Sequence, residues 1–300
     1  MTVTAVAIPT PPNSNLDRAM FVWCGTAGSA GDPLGSDTKM QNLLNWCTNN
    51  GVNVLFLDIW GYLGGGNWTN AHADTVVKFN HYAHASGIRV MALAGNTDWG
   101  HNQQWVANNI VRHIAQYQTY CAATTTNDHG EFDGVMLDCE YWTVGGYSAA
   151  IETPGLCELM KSMKKVLNLP VGLFTTQWLA LAGTAQTVTY NGVTQLEGFH
   201  LIDAADHVAV ACYNNTSATQ ITMMQPWMDY ASGSVGKCGL WCGSETGTGL
   251  GNQSYWTGNS GAKATMETNH TAVSAQFAVT GSMNWRGQCI DPYSQYSLMT

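Results

Sequence analysis

Charge is what this sequence has least of. Asp, Glu, Lys and Arg make up 10% of its 300 residues, against roughly one quarter in an ordinary globular chain. Only 11 residues are Lys or Arg, set against 20 acids, for a formal charge of −9. The basic residues are scattered and form no stripe that would neutralise phosphates, so nucleic acid is not an expected partner. Long apolar runs are missing too. No stretch approaches the roughly 18 residues of a membrane span, and the membrane drops out of the expected partners. The first twenty residues lack a basic start followed by an apolar core, so no signal peptide is legible there and the compartment stays open. No Gly-x-Gly-x-x-Gly follows the first strand-like run, and the phosphate loop, the His-Glu-x-x-His pair and the Gly-x-Ser-x-Gly elbow are absent. No lysine stands at a strand end to form a Schiff base. Cys238-x-x-x-Cys242 has no second pair at zinc-site spacing, so neither a metal nor a cofactor is implied.

Neutral polar residues and aromatics take the place of charge. The 32 Gly, 12 Trp and 12 Tyr stand among many Thr, Asn, Ser and Gln. Flat rings beside neutral polar groups suit a packed core and also suit sugar rings. Nine cysteines, an odd number, leave at least one thiol free. Several lie in or beside apolar runs, where cysteine acts as a small hydrophobe.

Residues 1–18, with Pro9, Pro11 and Pro12, read as an extended arm, and residues 19–300 as a single domain. Short apolar runs recur at Ala19–Cys24, Val52–Trp60, Arg89–Ala94, Gly134–Glu140, Pro170–Thr175, His207–Tyr213, Cys238–Gly243 and Gly281–Trp285. The spacers carry helical periodicity: Met40, Leu43, Leu44 and Cys47 fall on one face of Thr38–Asn49, which Gly51 stops. Ala71–Ser86, Gln103–Tyr120, Leu156–Leu167 and Gln220–Ser232 read as further helices, and Gly249–Ala278 as loop with one helical stretch. Strands alternating with helices predict parallel pairing, and eight such units fit a closed (β/α)8 TIM barrel. A doubly wound open sheet is the alternative.

In a barrel, chemistry collects at the carboxyl ends of the strands. Those ends offer Asp58 and Trp60; Asn96, Asp98, Trp99 and His101; Asp138, Glu140 and Trp142; Gln177 and Trp178; Tyr213 and Asn214; Glu245; and Trp285 with Arg286. Each has a plainer reading. Asp58 fits a buried acid bonded to backbone or to Arg286, Asp98 and His101 a turn, Trp178 and Trp285 packing, and Glu245 a cap. The most telling stretch is Phe132–Trp142, an apolar run that closes on two acids. Strand alternation puts Met136, Asp138 and Glu140 on one side, the two carboxyls about 7 Å apart. Like charges held that close in a partly dry site raise one pKa, which prepares a general acid at neutral pH.

Asp133-Gly134-x-x-x-Asp138-x-Glu140 resembles the fourth-strand signature of glycoside hydrolase family 18, the chitinase and endo-N-acetylglucosaminidase group. Val210-Ala211-Cys212-Tyr213-Asn214 is similar to that family's sixth-strand Met-x-Tyr-Asp, and Met283-Asn284-Trp285 to its eighth-strand tryptophan. The resemblance implies a (β/α)8 barrel with Glu140 protonating the leaving oxygen. Asp138 would orient the substrate's acetamido group, and Tyr213 would bond it during attack on the anomeric carbon. Met136 stands where the family usually has another acid, and Asn214 where it has Asp. Ser244-Glu245-Thr246-Gly247 resembles instead the nucleophile segment of barrel glycosidases that use strands four and seven, with Glu140 as acid/base and Glu245 as nucleophile. Cys139 replaces the Asn usual before that clan's acid. Both resemblances imply a glycoside hydrolase acting on a poly- or oligosaccharide. Asp58, Trp60, Asp98, Trp142, Gln177, Trp178, Asn214 and Trp285 are then the expected substrate-binding residues. The alternative is a lectin-like barrel that binds carbohydrate without cleaving it, which Met136 and Asn214 favour.

Overall fold

The computed structural model describes residues 16–124, 130–233, 238–256, 262–278 and 284–299. Ten strands appear in chain order: β1 (Asp17–Val22), β2 (Val54–Asp58), β3 (Arg89–Gly95), β4 (Gly134–Asp138), β5 (Val171–Thr176), β6 (Thr187–Tyr190), β7 (Val193–Leu196), β8 (His207–Ala211), β9 (Gly239–Glu245) and β10 (Trp285–Asp291). All but β6 and β7 pair in parallel in the order β1-β2-β3-β4-β5-β8-β9-β10, and β10 pairs back with β1. The result is the (β/α)8 barrel that the alternation of runs predicts.

The helices are α1 (Asp37–Asn49), α2 (Trp60–Leu63), α3 (Asn70–Ala85), α4 (Gln103–Val106), α5 (Arg112–Thr124), α6 (Ala149–Leu167), α7 (Glu197–Ala204), α8 (Ser217–Gly233), α9 (Lys263–Phe277) and α10 (Tyr293–Tyr296). Local chemistry sets their ends. Ser36 accepts from the Lys39 N–H at the start of α1, and Thr69 does the same for the His72 N–H at α3, each meeting an otherwise orphaned donor. Met40, Leu43, Leu44 and Cys47 form the buried face of α1, as their spacing predicts. One turn of π-helix, Ala107–Val111, joins α4 to α5, so the expected Gln103–Tyr120 helix is one rod with a wide turn inside it. Helix α6 begins at Ala149 rather than Leu156 and runs through Pro154, whose fixed φ is helical and which gives up only one N–H.

Two sequence expectations are corrected at the strands. The eighth barrel strand is not Gly281–Trp285 but Trp285–Asp291; residues 281–283 lie outside the described residues. The run Arg286-Gly287-Gln288 breaks the apolar alternation because a register shift sits between Trp285 and Gly287. Gly287 has φ 134° there, and a Cβ on it would lie 2.0 Å from the Asp17 carbonyl oxygen, so only glycine fits. The second correction is at the amino end, where β1 starts at Asp17. Asp17 and Arg18 therefore belong to the barrel and not to an arm, and the Arg18 N–H is tied to the Asn53 side chain.

The β6–β7 pair is a hairpin outside the barrel. It turns on Asn191 and Gly192, both at positive φ (51° and 79°), the signature of the tight turn that matches strand twist. Barrel and helices bury two apolar layers. The outer layer lies between strands and helices. The inner one fills the barrel with Ala19, Phe21, Val54, Phe56, Met91, Leu93, Met136, Phe174, Ala209, Trp241 and Cys289. Edge-to-face contacts tie its rings: Phe21–Phe56 at 4.9 Å, Phe21–Phe174 at 5.2 Å and Phe56–Trp241 at 5.4 Å between centroids. All nine cysteines are buried, and none is joined in a disulfide.

Helix α6 meets the loop after β3 without a spacer: a Cβ on Gly155 would fall 1.8 Å from the Gly100 carbonyl oxygen. Ala in place of helical Gly normally stabilises by about 1 kcal/mol, whereas overpacking costs about 1–3 kcal/mol. With backbone as the obstacle, the clash wins. Gly155→Ala is therefore expected to lower the urea midpoint of unfolding, and a raised midpoint would contradict the close approach.

Candidate active site

Because side chains alternate along a strand, the residues that follow the inner layer upward are fixed by it. Above Met136 on β4 stand Asp138 and Glu140; above Ala209 and Ala211 stands Tyr213; above Trp241 on β9 stands Glu245; and above Cys289 on β10 stands Asp291. Cys139 and Cys212 pack into the outer layer, which fixes the facing of their neighbours. Asp291 is paired in register with Glu245. Four carboxyl groups thus meet at the carboxyl end of the barrel, over a floor of Phe21, Phe56, Phe174 and Trp241.

Asp291 is central among them. Its Oδ1 accepts from the Trp23 indole N–H at 3.0 Å and its Oδ2 from the Tyr213 hydroxyl at 3.2 Å. Burial raises its pKa, and these two donors offset only part of that rise. Its proximity helps raise each of the others. Asp138 is pushed up to about 7 by burial, then by Glu140 and Asp291. Burial and Asp291 raise Glu140. Glu245 reaches about 7 through burial and Asp291, against the opposing pull of the Gly247 and Thr246 N–H groups. None of the four has a Lys or Arg partner among the described residues. A dry floor and mutual repulsion act in the same direction, toward retained protons.

Room for this cluster comes from glycine. A Cβ on Gly95, the register partner of Asp138, would lie 1.9 Å from the Asp138 carbonyl oxygen. One oxygen of Asp138, Oδ1, is buried and has no partner, which leaves it available to a ligand. Met136 lies wholly inside the barrel core, reaching over Gly172, where a Cβ would approach its Sδ to 3.2 Å. A third acid at that position would be an unpaired charge beneath the floor.

The other expected site residues have varied placements. Asp58 stands at the mouth, but its two oxygens accept the backbone N–H groups of Cys24, Gly25 and Trp60, so it braces the loops after β1 and β2. Asp98 accepts from the Asn102 side chain in its own turn, and His101 bonds to Glu152 on α6 at 2.6 Å. Asn214 caps its loop by accepting from Thr216. Gln177, Trp178 and Trp142 are half-buried near the ends of β5 and β4, and the Gln177 carbonyl holds the Trp227 indole. Trp60 is exposed at the rim. Trp285 opens β10 and so lies at the opposite end of the barrel, buried against Phe277 at 5.3 Å. Arg286 shares that end, beside Gly239. The misplaced eighth strand explains both, and it also hid Asp291. The signal was present as Cys289-Ile290-Asp291-Pro292, an apolar pair closing on an acid before a proline. Trp23 was likewise missed, as the strand-like run Ala19–Cys24 reads as core throughout.

Among the described residues no cluster of three or more His, Cys, Asp or Glu is arranged to hold a metal ion, and no helix is long and apolar enough to cross a membrane. No family model matches the chain, and no curated protein sequence matches it. Solved structures do. A GH113 β-1,4-mannanase superposes with a TM-score of 0.57 at 10% identity, covering 94% of this chain and 89% of that one. The GH113 β-mannanase of Alicyclobacillus acidocaldarius gives 0.56 at 12% identity over 93% and 87%. A GH18 chitinase from Pseudoalteromonas aurantia gives 0.52 at 11% identity over 93% and 94%. At such identities the likeness is one of fold.

The raised carboxyls tie stability to pH. Asp138 and Glu245 keep their protons up to about 7 in the fold but lose them near 4 when unfolded. The native state therefore binds more protons between those values, and the stability they contribute is lost as pH rises through that window. Asp138→Asn should flatten the fall in Tm between pH 5 and pH 8. An unchanged slope would show that Asp138 is ionised in the fold at neutral pH.

Proposed function

We propose that the protein is a glycoside hydrolase cleaving a neutral poly- or oligosaccharide, with Glu140 as acid/base and Glu245 as its partner carboxylate across the mouth. The observation that carries this reading is the meeting of inward carboxyls from β4, β9 and β10 over an apolar floor. Such a group supplies both a proton and an anion to one bond. The two mannanases and the chitinase with similar barrels support a sugar as substrate. In this scheme the Glu140 proton passes to the glycosidic oxygen as its bond to the anomeric carbon breaks. Glu245 attacks that carbon to form a glycosyl ester, and water, deprotonated by Glu140, then releases the sugar with retained configuration. The larger rise falls on Glu245, so substrate must dry the Glu140 side for the acid to hold its proton longer than the nucleophile. Asp291, which accepts from the Trp23 and Tyr213 donors, raises both Glu140 and Glu245, so the division between the two acids falls to the substrate.

A second reading is favoured by the unpartnered Oδ1 of Asp138: an acetamido-assisted route in which Asp138 orients an N-acetyl group for attack. The Tyr213 hydroxyl, which that route needs, is given to Asp291, and this places the reading second. Substrates with and without the N-acetyl group separate the two, since only the second route requires it.

Glu140→Gln and Glu245→Gln should each lower kcat by about 10³-fold on a cleaved oligosaccharide. Azide should restore turnover to small-residue variants at both positions, giving the retained glycosyl azide at position 140 and the inverted one at 245. Full activity of Glu140→Gln would remove the hydrolase reading, and binding without cleavage by the wild type would leave the lectin-like one. Asp291→Asn removes a charge that raises Glu140, so the alkaline limb of kcat/KM should move to lower pH. A purely structural role for Asp291 would lower activity without moving that limb.

A further inference from the structure

The three exposed tryptophans are not scattered. Of the twelve in the chain, all of which lie among the described residues, only Trp23, Trp60 and Trp105 are exposed, at 44%, 41% and 41%. Trp23 follows β1, Trp60 follows β2, and Trp105 sits in α4 after β3. These three strands are neighbours in the barrel, so the exposed rings occupy one arc of the rim, at the same end as the carboxyl cluster.

Trp60 and Trp105 stack on each other, with ring centroids 5.8 Å apart and planes at 28°. The back of Trp60 is built for this. Gly64 lies so close that a Cβ on it would stand 2.6 Å from the ring, and a Cβ on Gly65 would be 3.7 Å away. The Trp60 carbonyl is held by the Asn67 side chain and its N–H by Asp58. Trp105 is fixed through its carbonyl by Asn109. Two indoles are thus held in place while much of their apolar surface faces water, an arrangement that works against stability unless something covers it. Trp23 joins the pair to the cluster: its ring stacks on Phe21 at 6.1 Å and 16° while its N–H is bonded to Asp291.

We propose that Trp60 and Trp105 form a distal subsite that binds sugar units of a neutral polysaccharide, the chain passing over Trp23 from the carboxyl mouth toward the β2–β3 rim. This rests on the glycoside reading of the mouth and adds to it a direction and a preference for long chains. Flat indoles match the C–H faces of pyranose rings. Asp58 and Asp291, whose carboxyls accept from N–H and O–H donors beside these rings, repel uronic acids or sulfated sugars, so the occupant is uncharged.

The test uses the full chain carrying Glu140→Gln to hold substrate uncleaved. Tryptophan fluorescence is titrated with β-1,4-mannose and N-acetylglucosamine oligomers of two to six units, with alginate oligomers as the anionic control. Trp105→Ala, added to that protein, should weaken a six-unit neutral oligomer by about tenfold and a two-unit one far less. Trp105→Tyr should recover most of the loss. Ile151→Ala, an exposed apolar residue on α6, should change neither, and matching Tm values would show that the variants fold. Equal affinity of Trp105→Ala and its parent for six units would overturn the subsite, as would alginate binding as tightly as the neutral oligomers or no binding by any oligomer. If Trp105→Ala weakens binding while the wild type releases no product, the subsite stands and the hydrolase reading falls. If the wild type cleaves and Trp105→Ala binds six units undiminished, the subsite falls alone.

Discussion

Four carboxyl groups on a dry aromatic floor, without a cation among the described residues to balance them, set the terms for everything above the barrel core. A charge in such a place costs several kcal/mol unless it is paired or keeps its proton. The fold uses two remedies. Asp291 and Glu245 are supplied with N–H or O–H donors, and all four hold protons more tightly than carboxyls in water. The distribution is uneven by construction, and unevenness among neighbouring acids is what separates a proton donor from an anion.

The loops obey the same constraint. Asp58 draws the backbone after β1 and β2 onto its oxygens, which fixes Trp23 on one side and Trp60 on the other. Asp291 then fixes the indole of Trp23 and the phenol of Tyr213. Each acid therefore sets the position of an aromatic ring as well as its own charge. Below, Gly134 and Gly172 leave room for the long side chains of Met91 and Met136. The barrel is thereby filled with apolar groups up to the level of the carboxyls.

Much of this was legible in the sequence. Recurring short apolar runs, helical spacers and the absence of phosphate-binding glycines point to a barrel, and the acid pair closing Phe132–Trp142 marks its mouth. What escaped reading did so for local reasons. Strand β10 carries Arg, Gly and Gln at its start because it is bulged around Gly287, so its apolar pattern begins late and Trp285 mimics a strand end. Asp291 was lost with it. The Asn191-Gly192 hairpin was readable from its turn residues alone but falls where a barrel has no need of an extra strand pair. Asp58, Asp98 and Asn214 show the opposite limit. Their residue types suit ligand binding, and only the positions of neighbouring N–H and side-chain groups reveal that backbone or a nearby amide already occupies their oxygens.

The nine buried cysteines have a use that does not depend on any bond between them. They lie in or beside β1, α1, α5, β4, α6, β8, β9 and β10, so nearly every layer of the molecule contains a thiol. Burial pushes the thiols of Cys47, Cys121, Cys139 and Cys157 up to about 12, and a closed molecule offers no thiolate to a reagent. Each cysteine becomes reactive only when its own segment opens. The order in which they label is thus a readout, written into the native sequence, of which parts of the barrel part from the rest and at what free energy.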